Sequence, residues 1–306
     1  MPNRTTRIIY ALIIIGLFGG GAFYWFFKDA RLPVGRFEIN MAAVRALADG
    51  QDGPLPSEIR VERITTFHFP FAAVVTGESF SMIDIPVMTY QVLWPDRSLI
   101  IDTGMDQEMA KTMATDFDPT AFARTTKAMS QAEQIVLTHE HIDHIGGLTH
   151  NPDLTGLLPA LRLTREQMDH PEQSGDARLP KTALEGFTPL AYDKYHALAP
   201  GVVLIKAPGH TPGSQMVYVK RADGAEILFL GDIAWNIRSV ETTKPRPRFI
   251  SQFVLGEDRD NVMRELIEIK RISDETPGLM LVAGHDGTVI RKLVEAGILV
   301  PGFKAP

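Results

Sequence analysis

Apolar residues along this chain fall into three kinds of run, and each predicts a different element. Short runs of three or four apolar residues, such as Leu99-Ile100-Ile101, Ile135-Val136-Leu137, Val202-Val203-Leu204-Ile205, Ile227-Leu228-Phe229-Leu230 and Leu279-Met280-Leu281-Val282, suit buried strands. The longer stretch Ile83–Trp94, followed by Pro95-Asp96-Arg97-Ser98, predicts a strand and a hairpin turn leading into Leu99–Asp102. Helical spacing shows in Asn261–Ser273, with Val262, Leu266 and Ile269 on one face, in Gln107–Phe117, and as a modest stripe (Ile39, Ala42, Ala43, Ala46, Leu47) in Glu38–Ala48. Gly50, Gly53, Pro54 and Pro56 end that last segment as a turn or linker. Periodicity by itself predicts mixed α and β structure.

The third kind of run is at the N-terminus. Arg4 and Arg7 precede 20 residues without a formal charge, Ile8–Phe27, and Lys28-Asp29-Ala30-Arg31 closes them. At about 1.5 Å per residue such a helix matches the roughly 30 Å hydrocarbon core, and Tyr24 and Trp25 suit a membrane interface. The expectation is therefore an uncleaved transmembrane anchor. A cleaved signal peptide, with Gly20-Gly21-Ala22 as its small-residue site, is the competing reading. Either one predicts a catalytic domain on the periplasmic or extracellular side, though the flanking basic residues are too even to set orientation. Gly16 and Gly20 form a small-xxx-small pair of the kind that can join helices in a homodimer. The expected division is residues 1–31 as anchor or signal segment, 32–63 as linker with a short helix, and 64–306 as the catalytic domain.

The strand-like runs gain a chemical meaning from the residues at their C-terminal ends. Ile135-Val136-Leu137 leads into Thr138-His139-Glu140-His141-Ile142-Asp143-His144-Ile145-Gly146-Gly147. Imidazole nitrogen and carboxylate oxygen are the ligands a zinc ion accepts besides thiolate, and this chain has no cysteine. His139 and His141, at i and i+2, can point the same way, while Asp143 and His144 diverge to a second position a few ångströms away. That is a layout for two metals. Three other runs also end on a metal-type ligand: Ala207-Pro208-Gly209-His210, Leu230-Gly231-Asp232 and Ala283-Gly284-His285. Ligands at strand ends converge on one edge of a sheet, where loops can be shaped for a substrate. The other histidines, His68, His150, His170 and His196, read as surface or loop residues, with His150 the one close enough in sequence to approach the site.

His-x-His-x-Asp-His after a strand resembles the signature of the metallo-β-lactamase superfamily of hydrolases. The likeness runs from about Ile64 to Arg291, with Leu99-Ile100-Ile101-Asp102-Thr103-Gly104 matching the family's early strand and turn. It implies a four-layer αββα sandwich and two Zn²⁺ ions, other divalent metals being allowed. In that family pattern His139, His141 and His210 hold the first metal, Asp143, His144 and His285 the second, and Asp232 bridges them. A hydroxide shared by the metals would open a lactone or cleave a carboxylic ester, with Asp143 relaying a proton and Asp102 orienting a ligand imidazole. Asp102 reads equally well as an ordinary turn-forming aspartate.

Details of the resemblance narrow the branch. Zinc β-lactamases usually lack a carboxylate like Asp232, and the flavodiiron oxidoreductases carry a carboxylate where this chain has His141. His210-Thr211-Pro212-Gly213 and the ligand order look most like acyl-homoserine lactonases and the methyl-parathion-hydrolase-like branch. The lactonases place a tyrosine three residues after the bridging aspartate; here that position is Trp235, which has no hydroxyl. Trp235, Arg238, Phe249 and Phe253 are candidates for the substrate pocket. Phosphotriester or thioester cleavage, then β-lactam hydrolysis, or a non-hydrolytic sulfur dioxygenase or sensor on the same scaffold, are the alternatives. The basic glutathione-binding residues of glyoxalase II-like thioesterases find no match here.

Composition adds only limits. Hydrophobic content of 44% with 22% charged residues suits a globular chain with a sizeable core. A net charge of −6 argues against nucleic acid as partner and leaves a small molecule as the expected substrate. The one basic cluster, Lys244-Pro245-Arg246-Pro247-Arg248, reads as a solvated loop that can border the pocket.

Overall fold

The computed structural model describes residues 4–304; within the first helix the side chains of residues 4–12 and of Ile14 lie outside the described set. Two sheets form the centre of the molecule. The first contains strands β1 (Glu58–Pro70), β2 (Met82–Leu93), β3 (Ser98–Ile101), β4 (Asp116–Phe117), β5 (Gln134–Val136) and β11 (Val300–Pro301). Its order is β11-β1-β2-β3-β5, with β4 also pairing with β1. The second contains β6 (Tyr195–Ala199), β7 (Val202–Lys206), β8 (Gln215–Lys220), β9 (Glu226–Phe229) and β10 (Leu279–Val282), in the order β10-β9-β8-β7-β6. Most neighbours are antiparallel, and the exceptions are β3 with β5, β9 with β10 and β1 with β11. The parallel pairs matter for function, because they set the ligand-bearing ends of β5 and β10 at the same edge as the turns that close β3 and β9.

Three cores explain the layering. Between the sheets, Ile59, Tyr90, Val92, Leu99 and Ile101 meet Val202, Leu204, Val217, Val219 and Phe229. On the outer face of the first sheet, Ile100, Ile135 and Leu137 pack under helices that supply Met109, Met129, Ile145 and Leu148. On the outer face of the second, Val203, Ile205, Met216 and Leu228 are covered by Val262, Leu266 and Ile269 of helix Arg259–Glu275 and by Val44 and Ala48 of a short helix, Met41–Asp49. Strands buried on both faces need continuous apolar runs, which is why β7 and β9 show no alternation. The result is the expected four-layer α/β/β/α sandwich. Helix Gln107–Met113 stops short of the expected Phe117, because Asp116-Phe117 is taken into the sheet beside Thr65 and Thr66.

The N-terminus corrects an expectation. Helix α1 runs over Arg4–Phe27, yet among the described residues no helix is long and apolar enough to cross a membrane. Gly19-Gly20-Gly21 interrupts the apolar stretch, and its last turn is packed on protein, with Phe26 5.6 Å from Phe253 between ring centroids. The part of the anchor reading that falls on the side chains of residues 8–12 and 14 lies outside the described set. Among the described residues the expected transmembrane anchor is thus absent, and the exported location expected for the catalytic domain finds no support. Gly16 and Gly20 face open space, and neither membrane contact nor pairing into a homodimer finds support.

One close approach fixes where the histidine motif sits. Helix Ile142–Thr149 rests on the turn after β3, where the Thr103 N–H donates to the His144 carbonyl at 2.8 Å. A Cβ added at Gly147 would lie 2.2 Å from the Thr103 carbonyl oxygen, and one at Gly146 would lie 2.7 Å from Met109 Sδ. The former neighbour is backbone and cannot swing aside. Gly147→Ala is expected to cost about 1–3 kcal/mol, read as a lower denaturant midpoint at unchanged slope; an unchanged midpoint would show that the turn and helix can separate freely.

Candidate metal centre

Each strand end delivers its polar residue to one edge. His139 and His141 follow β5, and His141 also caps the helix that carries Asp143 and His144 in its first turn. His210 lies in the loop between β7 and β8, Asp232 in a short 3₁₀ turn after β9, and His285 just beyond β10. The structure brings all seven together in two groups of possible donors, His139, His141, His210 and Asp232, and Asp143, His144, Asp232 and His285, with donor atoms of each group within 4.8 Å of one another. Asp232 belongs to both. Its Oδ2 lies 3.5 Å from His210 Nε2 and 3.7 Å from His139 Nε2, while its Oδ1 lies 3.3 Å from His144 Nε2 and 3.1 Å from His285 Nε2. Asp143 Oδ2 closes the second group, 3.4 Å from His285 Nε2 and 3.6 Å from His144 Nε2.

The outer nitrogens show how these rings are held. His144 Nδ1 donates to Asp102 Oδ2 at 2.9 Å, His285 Nδ1 to the Pro86 carbonyl at 2.9 Å, and His210 Nδ1 to Glu257 Oε1 at 2.6 Å. A ring whose Nδ1 carries the proton turns an Nε2 lone pair inward. Asp102 also accepts from the Thr138 amide at 2.7 Å and the Thr138 hydroxyl at 2.8 Å, so it ties the turn after β3 to the histidine motif. Its φ of +58° puts a non-glycine residue in the left-handed region, a strain that persists where the surroundings over-determine it.

Inside the site, polar atoms lack partners. His139 Nε2, His144 Nε2 and Asp232 Oδ1 are fully buried and make no hydrogen bond. Buried polar atoms left in this way are costly, and here they converge. Lone pairs from imidazole and carboxylate, aimed at two shared points, fit divalent cations of the nitrogen- and oxygen-binding kind. The electrostatics divide the site into rings that stay neutral and rings whose neighbouring carboxylates favour positive charge. Burial, with help from neighbouring rings, holds His139 well below its usual range, and burial followed by the proximity of His210 brings His141 down to about 4. Burial works against charge on His144 and His285 as well, but there the nearby carboxylates win, Asp102 foremost for His144 and Asp232 for His285, and both are raised. Asp232 is held well below the ordinary carboxylate range, its burial outweighed by His285, His144 and His139.

Three further residues complete the surroundings, and none was a candidate donor in the sequence. Arg246, in the basic cluster expected to be solvated, is 2% exposed; its Nη2 donates to the Asp232 carbonyl at 2.7 Å and to Glu257, and its guanidinium lies 4.8 Å from the Trp235 ring centre. Glu257 thus joins His210 to Arg246. Its carboxyl is lowered because Arg246 and His210 together overcome its burial. Glu140, between two donor histidines, points away from them. It accepts from the Thr211 hydroxyl and the Gly213 amide and so fixes the His210 loop, while burial pushes it up to about 7.

The residues expected in the pocket divide. An apolar hollow of about 290 Å³ opens on the donor groups, with Phe67, Phe69, Trp235, Ile250, Val254 and Leu255 among its walls and His141, Asp143, Asp232 and His285 at its base. Trp235 is there, and its Nε1–H donates to Asp232 Oδ2 at 2.6 Å. Arg238 is not. It pairs with Glu78 at 2.9 Å on the surface. Phe249 and Phe253 do not line the hollow either; they turn to the N-terminal helix. His150 pairs with Asp106 outside the two groups, and His68 pairs with Asp84.

Fold and donor set together define a metal-binding hydrolase. The sequence profile of the metallo-β-lactamase superfamily matches residues 87–285, and the chain belongs to that superfamily. An N-acyl homoserine lactonase of Bacillus sp is 22% identical over 222 residues, covering 67% of this chain and 83% of the relative. A probable metallo-hydrolase of Mycobacterium tuberculosis is 29% identical over 183 residues, 51% of this chain and 56% of that protein. Among solved structures, an N-acyl homoserine lactone hydrolase with N-hexanoyl-L-homoserine bound at its catalytic metal center superposes with a TM-score of 0.62 at 15% identity, over 78% of this chain and 96% of the other. AidC, a dizinc quorum-quenching lactonase, gives 0.54 at 13% identity over 78% and 91%. At these identities the structural likeness is one of fold.

Proposed function

We propose that this enzyme opens a lactone or cleaves a carboxylic ester with two zinc ions held side by side. The observation that carries the reading is Asp232, which offers one oxygen to each of two donor groups at the base of an apolar hollow. His139, His141 and His210 would hold one ion, Asp143, His144 and His285 the other, and Asp232 both. When bound, such ions supply Lewis acidity and a water activated at neutral pH.

The chain's own residues do the rest. The apolar walls take an uncharged acyl or ring portion of the substrate and keep bulk water from the reacting carbonyl. Asp143, whose side chain is 12% exposed against 3% for Asp232, faces the hollow and carries a proton toward the leaving oxygen. Trp235 donates its N–H to Asp232 and so orients that carboxylate, and it has no hydroxyl to offer a substrate oxygen. The relatives support the ester class, because the Bacillus protein is by name a lactonase.

The test is elemental analysis of purified full chain with a panel of lactone, carboxylic ester, thioester, phosphotriester and β-lactam substrates. Expected are about two zinc equivalents per chain, lactone or ester turnover that is lost on chelation and returns with zinc, and little action on the β-lactam. A single tightly held iron with no metal-dependent hydrolysis would overturn the proposal; thioester or phosphotriester as the preferred substrate would overturn its substrate class.

A further inference from the structure

The wall of the hollow formed by residues 249–255 has a second side. It begins as a π-helical turn, Phe249–Val254, a rare backbone form that tends to occur at functional sites. Ile250, Val254 and Leu255 face the hollow. Phe249 and Phe253 face the end of α1, where Phe26 lies 6.3 Å from Phe249 and 5.6 Å from Phe253, Phe27 lies 5.9 Å from Phe249, and Trp25 lies 6.4 Å from Phe253. These spacings are those of interacting rings. A polar clamp reinforces the contact. Asp29 is 1% exposed and accepts from Arg248 at 3.1 Å, its carbonyl accepts from Arg259, and the Arg248 guanidinium covers the Trp25 ring at 4.6 Å. Arg248 and Arg259 flank the wall on either side, so the chain just after α1 holds both of its ends.

We propose that Trp25, Phe26, Phe27 and Asp29 are positioning residues for substrate binding: by bracing residues 249–255 from behind, they set the shape of the apolar wall and thereby the preference for substrates with an extended apolar group. This brace lies outside residues 87–285, the span matched by the superfamily profile. The proposal rests on the ester-hydrolase reading only for the substrate in its test. A short ester reaches the donor groups without leaning on Ile250 and Val254, whereas a long acyl chain must pack on them, so a loosened wall penalises the second alone.

The experiment compares the full zinc-loaded chain with Trp25→Ala/Phe26→Ala/Phe27→Ala and with the milder Phe26→Ala. Amide hydrogen exchange is the first readout. Exchange over residues 249–255 should speed up by about tenfold in the triple variant, with β7 to β10 unchanged, whether or not any ester is turned over. The second readout is the hydrolysis of para-nitrophenyl acetate and decanoate. KM for the decanoate ester should rise roughly fivefold or more while kcat holds, and kcat/KM for the acetate ester should stay within about twofold. Unchanged exchange over 249–255 in both variants, or equal losses on the two esters, would overturn the brace. Failure of the parent chain to hydrolyse either ester would count against the function reading and leave the exchange result to decide the brace.

Discussion

Asp143→Asn is expected to lower turnover by roughly 10²–10⁴-fold on the best substrate while leaving the fold intact. The substitution keeps an oxygen facing the second donor group but removes a negative charge 3.4 Å from His285 Nε2 and 3.6 Å from His144 Nε2. It also removes the carboxylate that faces the hollow and can carry a proton. Because the side chain is nearly isosteric and sits at the base of an open hollow, packing loses little. Circular dichroism and melting temperature separate a chemical defect from an unfolded chain. Turnover within a few-fold of the parent would show that Asp143 neither completes the site nor moves a proton.

The second large effect is on stability. Arg246→Met removes the cation from a buried pair and leaves Glu257 with His210 as its remaining polar partner. Breaking a buried pair on one side costs about 3–5 kcal/mol, which for a chain of this size lowers the melting temperature by roughly 10 °C. The Asp232 carbonyl loses its donor as well, so metal affinity should drop alongside, on the order of 10–100-fold. Arg246→Met/Glu257→Gln, which removes both charges, should recover part of the stability lost in the single variant. A single variant as stable as the parent would mean that solvent reaches Glu257 after all.

The donor set was legible in the sequence because it is written there locally: four donors within His139–His144, and His210, Asp232 and His285 each placed straight after an apolar run. The sheet that those runs build was legible for the same reason. What escaped depends on contacts between distant segments. Glu257 meets His210 across 47 residues, and no spacing rule announces it. Arg246 stands between two prolines in a charged loop, a context that reads as surface until Asp232 and Glu257 are seen beneath it. Phe249 and Phe253 were recognisable as apolar but not as facing away from the hollow, since a π-helical turn does not follow the 3.6-residue period. The N-terminal run misled because counting uncharged residues passes over Gly19-Gly20-Gly21, which interrupts the apolar stretch, and over its last turn, where Phe26 and Phe27 meet Phe249 and Phe253.

The seven donors are divided between the sheets, His139, His141, Asp143 and His144 arriving from β5 and His210, Asp232 and His285 from β7, β9 and β10. Neither half of the chain owns a complete set. The first donor group spans the seam, and so does the second, so each ion would act as a rivet through the boundary rather than as cargo in one half. Cations that bind only when the halves are in register add their binding energy to the cohesion of the whole sandwich, and resistance to unfolding becomes a direct reading of how well the two sheets meet.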